Sequence, residues 1–309
     1  MRALAVAAAL VLTIAACSGS GGKPAPSSSA APPRPTPAST VVLTSSAAGG
    51  TTSAAVISHI PRYDHIVVVV EENHASSQVL GSSSAPYINA LARSGVVLTR
   101  SYGVTHPSQP NYLALFSGST KGVTNDSCPH TFRGNNLGAQ LRARGLSFAG
   151  YSQGLPATGS RVCSYHSYAR KHAPWVNFSN LPGSVNRPTS SFPRDPRSLP
   201  TVSFVIPNLA YDMHDGTVRQ ADTWLHDRLA GYVTWARTHN SLLVLTWDED
   251  DNTPSNHILG VLAGAHLSPG RYSTRVDHYT MLRTIEAAYG LPALGRAANR
   301  SPIAGIWKR

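Results

Sequence analysis

Ser108 lies in the run Thr105-His106-Pro107-Ser108-Gln109-Pro110-Asn111-Tyr112, where an apolar strand-like stretch gives way to a helix start. A hydroxyl at a helix N-terminus sits among unpaired backbone N–H groups and the positive end of the helix dipole, which favour bound phosphate and a developing alkoxide. Two further pairs, Glu72-Asn73 and Asp248-Glu249, also follow apolar runs. Hard oxygen donors of this kind suit a divalent cation, and clustered carboxylates repel one another unless a cation or a proton compensates them. One acidic pair at a strand end is as often a solvated loop charge; two pairs together with the helix-start serine point to chemistry. His106, His214, His257 and His278 all fall at element boundaries, and two of the four are expected to be packing or capping residues. His214, in the polar loop after Asn208, and His257, nine positions after Asp248, are the better candidates for protonating a leaving group or holding a phosphate oxygen.

These side chains need a scaffold. His65 to Val70 is a continuous β-branched run of the kind that makes a buried strand. Residues 85–93 read as a helix, 95–102 as a strand and 108–116 as a helix with Pro110 tolerated in its first turn. Residues 136–144 read as helical and 146–151 as a strand. Residues 152–200 are rich in loop formers, and 201–206 are a strand. A long helix over about 218–238 carries Trp224, Leu225, Leu229, Tyr232 and Trp235 on one face. Strands over 241–247 and 258–263 and a helix over 279–289 follow. Strands alternating with helices predict an α/β fold, a mostly parallel central sheet with helices on both faces. Were the strands ending at Glu72, near Ser108 and at Asp248 parallel neighbours, their ends would converge on one rim.

The 309 residues leave room for one large domain over 56–309. Ahead of it, Arg2, the apolar run Ala3 to Ile14 and Ile14-Ala15-Ala16-Cys17 predict a signal peptide over 1–17. Its end resembles the lipobox of bacterial lipoproteins, which implies acylation at Cys17. Residues 18–55, rich in Ser, Ala, Pro and Thr, read as a flexible tether. The chain is thus expected to be exported, held by lipid at the outer face of the cytoplasmic membrane or secreted. In that compartment the remaining cysteines, Cys128 and Cys163, are expected to pair, two free buried thiols being the alternative. The formal charge of +11 would draw anionic phosphate esters or an anionic envelope surface. No basic block interleaves with aromatics, so nucleic acid is not an expected partner.

Taken together, several pieces resemble, in family order, the bacterial acid phosphatase and phospholipase C type phosphoesterases of the alkaline phosphatase superfamily. They are Glu72-Asn73, the His106 to Tyr112 run, Gly122-Val123-Thr124-Asn125-Asp126, Pro207-Asn208 with Asp212-Met213-His214-Asp215, Thr246-Trp247-Asp248-Glu249 and Asp277-His278-Tyr279. The resemblance implies an alkaline-phosphatase-like fold, Ser108 as nucleophile, and one divalent metal ion held by Glu72, Asn73, Ser108, Asp248 and Glu249. It implies that Asn125 contacts phosphate and that Asn208 and Asp212 line the pocket. Asp248-Glu249 stands where two-metal members carry Asp-His, and Asn208 replaces an aspartate ligand, which argues against a second ion. The expected activity is hydrolysis of phosphate esters through a phosphoserine, as an acid phosphatase. A phospholipase C-like diesterase and a non-catalytic surface lipoprotein are the alternatives.

Overall fold

The computed structural model describes residues 60–308. The proposed signal peptide, Cys17 and the tether lie outside the described residues. The strands are β1 (His65–Glu71), β2 (Val96–Tyr102), β3 (Phe148–Ser152), β4 (Ser164–Tyr165), β5 (Tyr168–Ala169), β6 (Asn186–Pro188), β7 (Val202–Ile206), β8 (Ser241–Trp247), β9 (His257–Gly264), β10 (Gly270–Tyr272) and β11 (Val276–Asp277). The helices are α1 (Ser76–Val79), α2 (Pro86–Ser94), α3 (Ser108–Ser117), α4 (Leu137–Ala143), α5 (Val218–Ala236) and α6 (His278–Ala288). Among the described residues, no helix is long and apolar enough to cross a membrane.

All strands but the β4–β5 hairpin join one nine-stranded sheet in the order β10-β2-β9-β8-β1-β7-β3-β6, with β11 also on β2. β1 pairs in parallel with β7 and β8, with His65 opposite Ser241 and Glu71 opposite Trp247. β9 runs antiparallel to both β8 and β2. β2 therefore points the same way as β8 and β1 but is separated from them by β9. The strand that feeds Ser108 is thus not a neighbour of the two that feed the acidic residues, although all three end on the same rim.

Alternation along the strands supplies two cores. Ile66, Val68 and Val70 face one side with Leu242, Val244, Leu262 and residues of α3, α4 and α6, whereas Val67, Val69, Leu243, Leu245 and Val261 face the other with residues of α2 and α5. That double coverage is why β1 and β8 are apolar at consecutive positions rather than at alternate ones. α3 is buried along its whole length, Ser108 and Asn111 included. Its apolar residues need no polar face because the α6 and 170s segments enclose it.

The middle stretch contains more order than its composition announced. After the β4–β5 hairpin, short 3-10 turns cover 170–172, 174–177 and 183–185, and β6 adds an edge strand to β3. Trp175 lies stacked on Phe204 with ring centroids 6.1 Å apart. It can do so because residue 150 is glycine: a Cβ there would sit 2.1 Å from the indole ring. A disulfide joins Cys128 to Cys163 across 35 residues of sequence. Closing such a loop stabilises a fold by roughly 3–4 kcal/mol.

Candidate active site

The rim site is assembled around Glu72, which emerges from β1 fully buried. Ser108 Oγ, at the first residue of α3, lies 3.1 Å from Glu72 Oε2 and 3.2 Å from Glu249 Oε1. One helical turn on, the Tyr112 hydroxyl donates to Glu72 Oε1. The i, i+4 spacing of Ser108 and Tyr112 is what lets both reach one carboxylate. Asn111 secures the approach: its Oδ1 accepts from the backbone N–H of Val104 at 2.9 Å and of Thr105 at 3.1 Å, and its Nδ2 donates to the Thr105 carbonyl at 2.7 Å. The loop that delivers Ser108 is thereby pinned to the helix it precedes.

Asp248 and Glu249 follow β8. Asp248 Oδ1 receives the Asn73 backbone N–H at 3.4 Å, while the Asp248 carbonyl lies 2.5 Å from His278 Nε2. Asn73 has φ +46°, the left-handed region that asparagine tolerates better than most side chains. Glu249 Oε2 lies 2.5 Å from His106 Nδ1. Burial is the main cause that pushes the carboxyls of Glu72, Asp248 and Glu249 up; Asp248 and Asp212 add repulsion at Glu72, as Glu249 does at Asp248. Asp212, also chiefly through burial, is raised to about 7. Glu71, one residue before Glu72, is also fully buried and pushed up, first by that burial and then by Asp212 and Asp222.

A third segment completes the site. Asp126 accepts the Gln109 backbone N–H at 2.9 Å with one oxygen and pairs with Lys171 Nζ at 2.9 Å through the other. Lys171 Nζ also lies 3.4 Å from His214 Nε2, and His214 Nδ1 is 2.7 Å from Asp215. His172 is stacked on Tyr112 and reaches Glu72 Oε1 at 3.2 Å and Asp212 Oδ2 at 3.5 Å. Burial, followed by the neighbouring Lys171 and His214, pushes its imidazole pKa well down.

Of the residues singled out in the sequence, Glu72, Asn73, Ser108, Asp248 and Glu249 come together, and Asp212 and His214 join them through His172 and Lys171. His257 opens β9, where its Nε2 meets the Thr99 carbonyl at 3.0 Å and its ring lies by Tyr102. Its ring is thus engaged with β2 rather than with Ser108. Asn125 Oδ1 accepts the Ser127 backbone N–H at 3.1 Å, and Asn208 Oδ1 accepts that of Ala210 at 3.2 Å. Both amides are shaping turns, and the group beside Asn125 that reaches inward is Asp126. Lys171 and His172 escaped sequence reading because they sit in the proline-rich middle stretch; the adjacent Arg-Lys-His triplet was the available signal.

The donor set fits a hard cation. Asn73 Oδ1, Asp248 Oδ2, Asp212 Oδ2 and His172 Nε2 are all buried without a hydrogen-bond partner. Oxygen atoms left unpaired among crowded carboxylates are what a divalent cation would satisfy. Glu72, His172 and Asp212 place one donor atom each within 4.8 Å of one another, so Glu72 has donors on two sides.

Residues 80–292 match the model of the Phosphoesterase family. A phosphatidylinositol-3-phosphatase of Mycobacterium tuberculosis is 50% identical over 255 residues, covering 81% of this chain and 85% of that protein. A phosphate-repressible acid phosphatase of Penicillium chrysogenum is 31% identical over 228 residues, 68% of this chain but 55% of the fungal protein. The chain therefore spans little more than half of that relative. In fold it is similar to an alkaline phosphatase superfamily protein from Vibrio parahaemolyticus, with a TM-score of 0.55 at 13% identity over 80% of this chain and 72% of that one. The lipoteichoic acid synthase LtaP of Listeria monocytogenes gives the same TM-score of 0.55 at 11% identity, over 75% and 73% of the two chains. With an alkaline-phosphatase-like sheet beneath it, the chain belongs to the phosphoesterase family and is a hydrolase of phosphate ester bonds.

Proposed function

We propose that this protein is a phosphomonoesterase acting through a phosphoserine at Ser108. The observation that carries the reading is the Ser108 hydroxyl at the start of α3, within 3.2 Å of two carboxylates. Glu249, steadied by His106, accepts the hydroxyl proton as Oγ attacks phosphorus and the bond to the leaving oxygen breaks. His214, held at Nδ1 by Asp215, gives a proton from Nε2 to the departing alcohol. Water then displaces Ser108 from phosphorus, releasing phosphate and restoring the hydroxyl.

Glu72, Asn73, Ser108, Asp248 and Glu249 are the residues we assign to a divalent cation, with His172 and Asp212 as further donors beside Glu72. When bound, such an ion would neutralise the carboxylates and stabilise charge on the phosphoryl oxygens. The 50%-identical phosphatidylinositol-3-phosphatase supports a phosphorylated inositol lipid within the substrate class. An exported, lipid-anchored location through Cys17 suits the Cys128–Cys163 disulfide.

Acid quenching during turnover of p-nitrophenyl phosphate is expected to leave phosphate on the peptide that contains Ser108, and Ser108→Ala to abolish both label and turnover. Undiminished turnover by that variant would refute the assignment. A chelator is expected to inhibit, and activity that survives thorough chelation counts against the cation.

A further inference from the structure

We infer that Lys171 is the specificity-determining residue that favours phosphate monoesters over diesters, by binding a non-bridging oxygen of the dianion. The inference rests on the phosphoesterase reading of the site and adds its choice of substrate charge.

Lys171 shares the 170–172 turn with His172, the residue that reaches Glu72. Its side chain is 17% exposed, enough to meet a ligand and too little to be a solvated surface cation. An ammonium has three donors. One is engaged by Asp126 at 2.9 Å; His214 Nε2, the atom that gives the leaving group its proton, lies at the longer distance of 3.4 Å and does not accept, leaving two for other acceptors. Burial works against the charge, but the bond to Asp126 and the fields of Glu72, Asp126 and Asp248 outweigh it and hold the ammonium above its ordinary pKa. Asp126 ties Lys171 to the Gln109 backbone N–H, one residue past Ser108, and the adjacent His172 reaches Glu72 at 3.2 Å.

The need for such a cation follows from the charges. A monoester above the second ionisation of phosphate, at roughly pH 6, carries close to two negative charges, and a diester carries one. Carboxylates gathered around Ser108 repel a dianion more strongly than a monoanion, and the cation assigned to them offsets only part of that repulsion. A fixed ammonium returns a Coulomb gain proportional to ligand charge, so it helps the monoester more. Position is secured from behind: Arg170 donates to the Asn177 side chain at 3.1 Å, the Arg161 carbonyl at 2.9 Å and the His130 carbonyl at 3.0 Å.

The test compares the full chain with its Lys171→Met and Lys171→Arg variants on p-nitrophenyl phosphate and bis-p-nitrophenyl phosphate at about pH 7.5. Lys171→Met is expected to lower kcat/KM for the monoester about 10- to 100-fold, mainly through KM, and to weaken inhibition by inorganic phosphate alike, while the diester, with half the charge, loses only about 3- to 10-fold. Lys171→Arg, which keeps the charge, is expected to retain the monoester preference. Equal losses on both esters would mean that Lys171 merely holds Asp126 and the turn at Gln109, and would overturn the inference. So would an unchanged monoester-to-diester ratio, or a folded Lys171→Arg protein without the preference. If the unaltered protein cleaves the diester faster than the monoester, the phosphomonoesterase reading fails instead, and the ratio still reports on Lys171.

Discussion

At the carboxyl ends of β1, β2 and β8 the reactive side chains sit where regular elements begin or stop: Glu72 just past a strand, Ser108 opening a helix, Asp248 just past a strand. Around Lys171 the chain is irregular, a 3-10 turn reached through a two-stranded hairpin and tied back by Cys128–Cys163 and the side-chain hydrogen bonds of Arg170. The first region is rigid because the sheet beneath it is buried on both faces. The second is rigid because cross-links replace the ladder. The carboxylates of Glu72, Asp248 and Glu249 come from the first region and the Lys171 ammonium from the second, and on that division turnover is set by one and substrate choice by the other.

The largest effect expected from breaking this division is at Ser108. Ser108→Ala should lower kcat by about 1,000-fold or more, with cooperative unfolding preserved, as read by steady-state rates and calorimetry. Asp248→Asn should follow with a loss on the order of 100-fold and a weakened response of thermal stability to added divalent cation. Reduction of Cys128–Cys163, or its replacement by serines, should act on the other region, raising KM for a monoester about tenfold while kcat stays within about threefold. A matching collapse of kcat would show that the two regions are not separable. His257, engaged with Thr99 and Tyr102, should give a His257→Gln protein within about threefold of full activity.

A smaller effect lies away from the site, in α6. Glu286 accepts the Leu294 backbone N–H at 2.8 Å with one oxygen, the other lies buried without a hydrogen bond 3.8 Å from Arg283 Nη1, and burial raises its pKa to about 7. Between its ordinary value of 4.5 and about 7 the folded chain holds a proton that the unfolded chain has released. Stability from this group is therefore full below that window and falls as pH rises through it. Glu286→Gln should flatten that part of the Tm-against-pH curve, and an unaltered slope would remove Glu286 as its source.

Much of the rim was legible beforehand because its signals are local. β-branched runs ending in Glu72 and Asp248 announce buried strands, and the Ser108 to Tyr112 spacing announces a helix face, whatever the rest of the chain does. His257 shows the limit of such signals: a polar residue at a strand start has the same sequence appearance whether its ring turns to a site or to the adjacent strand. Asn125 is similar, since its turn-forming amide and its neighbour Asp126 differ in role only once Lys171 stands opposite.

The sequence by itself determined the alternation of elements, the double-sided sheet and the family motifs, because hydrophobic periodicity and short-range turn chemistry depend on near neighbours. Tertiary structure alone decided that β9 separates β2 from β8, and that His172 returns to Glu72 from a position 100 residues away, bringing Lys171 to Asp126. Those outcomes depend on which strands pair, on a cross-link and on mutual burial of charges, and no residue carries that information in its own vicinity.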